Sequence, residues 1–437
     1  MSVFDNLLDW DNISDAEENP YQWDTLKPPS EFNIIADADT LYQAMKDARR
    51  GTGWKTSVQK FCWSYLPRLS RLQAALVALE NGTDGAWEPG EGYDFLHNER
   101  GRMRAITGQI IDDRVASHAL NDAVLLPAIR PHLIYDNSAS LKGRGVDMAR
   151  KRLRVHLERF AQREGTDAGY IRLKDESKYY DNVRYRDAYD ILAGFTDNKL
   201  ALKMVAKLLI AARTDISDLS EEERAEAVGR KFDRIAWRSG NHSKRGEAYL
   251  YKGLHVGDQL SQTIGIVYPY RVDNEATIVQ GSRYYHRYMD DSRDLDRDLE
   301  KLRRRAEAID RESENLGMFT NKRKTVICRT DKWFIWLQRK NRLRGGRLES
   351  RILPKAVHRI NRRIRKLRKK MDQGARGITP MYVAGIIRSW TRARRDVLSY
   401  PQLRGIELNI KNLFGEEAYQ YVYDHDERWK PADWLDD

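Results

Sequence analysis

The sequence predicts an α+β fold, and three observations predict it. Strand-like runs at 170–175 and 284–289 each lead straight into acidic residues. Longer stretches, such as 297–316 and 353–371, repeat their apolar residues at helical spacing. Hydrophobic residues make up 41% of the 437 residues and aromatics 10%, enough for a core although 32% are charged.

The elements follow in order. Up to about residue 40 the chain is acidic and carries Pro20, Pro28 and Pro29, which reads as an arm. Helices are expected over 40–47 and about 57–80. The segment 92–106 reads as two strands around the turn Asn98-Glu99-Arg100-Gly101. A helix over 112–126 is expected to stop at Pro127. A strand candidate over 170–175 runs into a turn, 200–213 reads as helix, and 249–266 as loop into helix. After the strand at 284–289, Leu299, Leu302, Ala306 and Ile309 mark a helical face. Leu353, Val357, Ile360, Ile364, Leu367 and Met371 then form one apolar stripe, with Pro354 suited to a first helical position and Gly374 to a stop. Basic residues fill the spaces between them. Thr379-Pro380 opens a further helix carrying Ile386, Ile387 and Trp390.

Net charge is +12, yet both ends are acidic (Asp5, Asp9, Asp11 and Asp15 at one, Asp424, Asp426, Asp433 and Asp436 at the other). The central chain is therefore more basic than the total, which suits a polyanionic partner. Cys62 and Cys328 are the only cysteines, so no disulfide framework or structural zinc site is expected. The N-terminus lacks signal-peptide character, and no apolar run approaches the ~20 residues of a membrane span. A soluble cytoplasmic protein with no membrane association is the expectation.

Two segments carry candidate chemistry. Tyr288-Met289-Asp290-Asp291 sets adjacent carboxylates at the end of a strand, where they can face a hydrated cation. An Asp pair alone is more often a surface turn; the strand and the aromatic-Met prefix distinguish this one. Tyr170-Ile171-Arg172-Leu173-Lys174-Asp175 likewise ends on a carboxylate, followed by Tyr179-Tyr180. Carboxylates from separate strands are what two Mg²⁺ ions roughly 3.5–4 Å apart require in phosphoryl transfer.

The order of segments resembles the reverse transcriptases, over about 95–390. Asp175 matches the metal-binding Asp of that family's first catalytic motif, and Tyr288-Met289-Asp290-Asp291 its YxDD motif. Gly253-Leu254-His255-Val256-Gly257-Asp258-Gln259-Leu260-Ser261-Gln262 is similar to the template- and nucleotide-positioning loop. Leu316-Gly317 through Lys324-Thr325 resembles the following Gly and Lys-Thr motif, and Trp333-Phe334-Ile335-Trp336-Leu337 the hairpin that grips the primer. Glu99 to Ile106 looks like the fingers strand that meets the triphosphate, and Asn137 to Gly145 like the A-x-x-x-G-[KR]-G segment of bacterial members.

The resemblance implies a right-hand polymerase fold: an N-terminal extension (1–75), fingers (76–169), a palm with an antiparallel sheet backed by helices (170–340, with a fingers insertion near 184–250), a basic helical thumb (341–400) and an acidic C-terminal tail (401–437). It implies Asp175, Asp290 and Asp291 as ligands of two Mg²⁺ ions, or Mn²⁺, with Asp291 the least direct. Lys324 would protonate leaving pyrophosphate, Tyr180 would exclude a ribose 2′-hydroxyl, Arg104 would pair with triphosphate oxygens, and Gly257 and Gln262 would approach nucleotide or template. Arg359, Arg362, Arg363 and Lys366, with Trp333 and Trp336, would contact nucleic acid. Implied partners are dNTPs, an RNA template (a structured noncoding RNA), its DNA product and, as in some members, further copies of the chain. The compact form looks most like the defence-associated unknown-group enzymes related to those of diversity-generating elements, which implies bacterial antiviral defence. Template-independent or protein-primed synthesis on the same fold, and a noncatalytic RNA-binding scaffold, are the competing expectations.

Three departures from the family pattern stand out. Lys174 precedes the first Asp where an apolar residue is usual, and Glu176 follows it. His255-Val256 replaces the usual Pro-containing pair. Ser292-Arg293-Asp294 follows the Asp pair where an apolar strand is usual, so the hairpin's second arm is expected to be short or bent.

Overall fold

The computed structural model describes residues 32–423 except 100, 241, 243 and 244. The acidic stretches before residue 32 and from Asp424 onward lie outside the described residues. The fold is α+β, in two compact units: Met1–Ala149 with Arg172–Val326, and Arg150–Ile171 with Ile327–Asp437.

Eleven strands occur among the described residues: β1 (Tyr93–Glu99), β2 (Arg102–Gly108), β3 (Tyr170–Asp175), β4 (Thr214–Asp215), β5 (Tyr249–Leu250), β6 (His286–Tyr288), β7 (Asp291–Asp296), β8 (Val326–Arg329), β9 (Phe334–Trp336), β10 (Arg339–Arg344) and β11 (Arg347–Ile352). β1 and β2 form an antiparallel hairpin, and a four-stranded sheet has the order β6-β7-β3-β8. The chain passes between the units within the helix Val146–Glu164, within β3 and at β8.

In the first unit one apolar core joins the N-terminal helices (Leu41, Phe61, Leu76) to Tyr185 and Leu192, to the helix Lys199–Ala211 and to the helix Gln259–Val267. The expected helix over 57–80 is two, Thr56–Trp63 and Tyr65–Asn81, parted at Ser64. Pro127 does not stop its helix. Ile111–Leu120 widens into a π turn at Asn121–Leu125 and continues as Leu126–Ile129. Proline lacks an N–H, and the wider turn removes the need for one at that point. The helix Val146–Glu164 is not among the expected elements, although Ala149, Leu153, Leu157 and Phe160 recur at helical spacing and are buried.

The second unit has its own core. The helix Pro354–Asp372 buries Ile360 and Ile364 against Val383 and Ile387 of the helix Pro380–Arg392. Thr379 caps the latter by accepting from the Tyr382 amide at 3.1 Å. Residues 401–423, read as part of a tail, instead form the helices Tyr400–Phe414 and Glu416–Tyr423, which bring Leu403, Ile406, Ile410 and Phe414 into that core. The region 341–400, expected as a basic helical thumb, begins with strand: the end of β10 and all of β11, which form an antiparallel sheet with β9.

Candidate active site

β3 explains the first departure. Strand alternation puts Arg172, Lys174 and Glu176 on one face and Ile171, Leu173 and Asp175 on the other. The charged face is buried against the helix Leu299–Asn315. Lys174 Nζ lies 2.6 Å from Glu176 Oε1 and 3.1 Å from Asp310 Oδ1, and Arg172 Nη2 is 2.6 Å from Asp310 Oδ2. Two cations hold the Asp310 carboxyl below its ordinary range, outweighing the burial that would raise it. The flanking Lys174 and Glu176 therefore anchor the strand from behind, where an apolar pair would otherwise pack.

Asp175 ends β3 facing the other way. Its Oδ1 accepts from Lys324 Nζ at 2.6 Å and its Oδ2 from Asn321 Nδ2 at 2.8 Å. The Asn321 amide donates to the Asp175 carbonyl at 2.8 Å, so the segment after Gly317 wraps the strand end. Of these partners, sequence reading had named Lys324 and missed Asn321.

The Asp pair sits where two strands turn. Tyr288 faces Asp291 as the last pair of the β6-β7 hairpin, leaving Met289 and Asp290 as a two-residue turn. Met289 takes φ +56°, a left-handed conformation costly for a side chain with a Cβ. The Glu176 amide donates to the Asp290 carbonyl at 3.2 Å. This bond joins the end of β3 to the Asp turn, so Asp175 and Asp290 occupy adjoining strand ends although 115 residues separate them.

A buried pair supports the turn. Arg287 Nη2 lies 2.7 Å from Asp273 Oδ2, Tyr285 Oη donates to Asp273 at 3.1 Å, and Arg287 also donates to the carbonyls of Ile266 (2.7 Å) and Met289 (3.3 Å). The segment Asp136 to Ser138 lies beside β6: the Arg287 amide donates to the Asp136 carbonyl at 3.1 Å, and Ser138 Oγ is 2.8 Å from His286 Nε2. The second arm of the hairpin is not short. β7 runs six residues against three for β6, because its polar residues are partnered: Asp294 Oδ2 lies 2.8 Å from Arg305 Nε, and Arg305 reaches Asp296 as well.

The other named residues gather nearby. Tyr180 packs edge-on against Tyr179 at 5.4 Å, and its hydroxyl reaches Met289 Sδ at 3.4 Å. Burial, then the negative charges of Asp290 and Asp258, raise the Tyr180 pKa, while Arg104 opposes them. Arg104 is half-buried on β2 and pairs with Glu99 at 2.7 Å. The loop before the helix Gln259–Val267 lies against β2 through an Ile106–Val256 bridge. There Gly257 has φ +119°, and a Cβ on it would meet Ile106 Cγ2 at 3.3 Å. Gln262 is exposed on the helix. His255, one of the departures, is held neutral: burial, reinforced by Arg234, lowers its pKa to about 3. Asp258, which sequence reading left without a role, caps the helix by accepting from the Ser261 amide, and burial raises its pKa to about 6.

Glu176 was likewise noted only as a departure. Its Oε2 is buried with no hydrogen-bond partner among the described residues, and it lines a small cavity with Asp290, Tyr179 and Arg287. Among the described residues, no three acidic, His or Cys side chains are gathered as a formed metal site. The donor chemistry of Asp175 and the Asp turn is nonetheless all oxygen, from adjoining strand ends, and suits a hard divalent cation.

In the second unit Arg359, Arg362, Arg363 and Lys366 all lie on the helix Pro354–Asp372, away from the buried Ile360 and Ile364. Trp333 lies beneath Arg342 (4.5 Å) and Arg351 (4.9 Å). Trp336 is 5% exposed, so its ring packs inside the sheet and does not face solvent. Among the described residues, no helix is long and apolar enough to cross a membrane. No family model matches the chain, and no curated protein is similar to it.

Proposed function

We propose that this chain is a reverse transcriptase, adding dNTPs to a primer 3′-hydroxyl on an RNA template by metal-dependent nucleotidyl transfer. The single observation that carries the reading is the Glu176–Asp290 backbone bond, which brings the Asp175 strand end beside the Tyr288–Asp291 turn. Asp175, Asp290 and Asp291 would hold two Mg²⁺ ions. Those ions, when bound, supply activation of the 3′-oxygen and neutralisation of charge on pyrophosphate.

The chain's own residues do the rest. Lys324 keeps its ammonium on Asp175 Oδ1, neutralising that carboxylate and carrying a proton that leaving pyrophosphate can accept. Arg104 offers a guanidinium that can exchange Glu99 for triphosphate oxygens. The Tyr180 ring, fixed by Tyr179 and Met289, would bar a 2′-hydroxyl. Arg359, Arg362, Arg363 and Lys366 would bind phosphates without sequence preference. The structured RNA and the role in bacterial defence rest on the sequence resemblance alone.

Purifying the protein and sequencing its co-purifying nucleic acid tests the reading. One defined RNA with complementary DNA is expected. DNA unrelated to any bound RNA would favour template-independent or protein-primed synthesis. A cellular phenotype untouched by Asp290→Ala with Asp291→Ala would favour a noncatalytic RNA-binding scaffold.

A further inference from the structure

The helix Gln259–Val267 runs beneath the two tyrosines that follow Asp175, and Gly265 is where they meet it. The Gly265 carbonyl accepts from Tyr179 Oη at 2.8 Å. A Cβ on Gly265 would lie 2.9 Å from Tyr180 Oη, 3.0 Å from Met289 Sδ and 3.2 Å from Tyr180 Cζ. Glycine is disfavoured inside a helix, and Gly265 has no left-handed backbone to justify it. The reason for glycine here is space: the phenol and the thioether occupy the volume a methyl would take.

We propose that Gly265 is a specificity-determining position, whose missing side chain sets how deeply the Tyr180 ring sits and so fixes the room left for the nucleotide sugar. The inference rests on reading Tyr180 as the residue that meets the sugar. Tyr180 is hemmed in by Tyr179 and by the helix, so a methyl at position 265 displaces its ring off the helix and into the sugar's space. The same methyl presses on Met289, the neighbour of Asp290 in the strained turn. Gly265 thus ties sugar selection to the seat of the Asp turn while touching neither substrate nor metal.

The test compares wild type, Gly265→Ala, Tyr180→Phe and the double variant in steady-state dNTP and rNTP incorporation, with melting temperatures for all four. Gly265→Ala is expected to raise KM for dNTP roughly tenfold, with a smaller change in kcat, and to increase the preference for dNTP over rNTP. In the Tyr180→Phe background the atom at 2.9 Å is gone and the closest ring atom is Cζ at 3.2 Å, so the same substitution should change sugar preference much less, while its contact with Met289 Sδ at 3.0 Å remains. Melting temperatures should show the same non-additivity, Tyr180→Phe restoring part of what Gly265→Ala loses. Equal effects in both backgrounds, or an active Gly265→Ala enzyme with unchanged sugar preference, would overturn this inference alone. A wild-type protein that incorporates no nucleotide would overturn the reverse transcriptase reading and this inference with it.

Discussion

Asp273→Asn isolates the pair beneath the Asp turn. Asp273 and Arg287 are 1% and 3% exposed, and the carboxylate receives Arg287 Nε at 2.8 Å, Arg287 Nη2 at 2.7 Å and Tyr285 Oη at 3.1 Å. The amide keeps the shape and one acceptor but removes the charge, leaving the guanidinium buried with that one neutral acceptor and the carbonyls of Ile266 and Met289. Breaking a buried pair from one side costs about 3–5 kcal/mol. The retained acceptor puts this substitution at the lower end, about 3 kcal/mol. Replacing both partners, Asp273→Leu with Arg287→Met, should recover much of that stability, since no buried charge is then left alone. It should not recover nucleotide incorporation, because the Met289 carbonyl has lost its donor. Urea unfolding followed by circular dichroism measures the stabilities, and primer extension the activity. A single Asn variant within about 0.5 kcal/mol of wild type would refute the reasoning, since that is the ordinary scatter of surface substitutions.

Three further outcomes are expected. Replacing Arg359, Arg362, Arg363 and Lys366 with Ala should weaken nucleic-acid binding evenly across sequences and flatten the dependence of log K on log salt by up to about 4 × 0.9; fluorescence anisotropy at several salt concentrations checks this. Asp258 has a folded pKa of about 6, above its ordinary value, so the folded protein holds the proton more tightly than the unfolded chain. Its contribution therefore favours folding at low pH and is lost as pH rises from about 4 to about 6. Unfolding midpoints of wild type and Asp258→Asn across that range should show a decline in wild type that the variant lacks. Lys324→Ala removes the ammonium on Asp175 Oδ1, leaving the Asn321 donor, and should lower kcat by roughly 10²-fold or more with the fold intact, measured by single-turnover extension.

Much of the site was legible in the sequence because its residues mark strand ends. A strand pattern that breaks at Asp175, and another at Asp290, needs only local reading, and the structure sets Lys324 on Asp175. What stayed hidden was the far side of the same strands. Arg172, Lys174, Glu176, Arg293 and Asp294 read one at a time as solvated charge, yet they are buried; Asp310, 138 residues beyond Arg172, completes ion pairs with Arg172 and Lys174, and Arg305, in the helix after β7, pairs with Asp294. No local periodicity encodes that pairing. Pro127 misled for a related reason: the rule that proline ends a helix assumes an unbroken α-helical ladder, and a π turn changes the ladder just before it. The helices between 400 and 423 were hidden by the acidic residues around them, although Leu403, Ile406 and Ile410 repeat at helical spacing.

The most direct test is the anomalous scattering of Mn²⁺ in crystals grown with primer, template and a non-hydrolysable dNTP. Two Mn²⁺ sites roughly 3.5–4 Å apart, touched by the carboxylates of Asp175 and Asp290, are predicted. A nucleotide bound with Mn²⁺ elsewhere, and none on Asp175, would contradict the account.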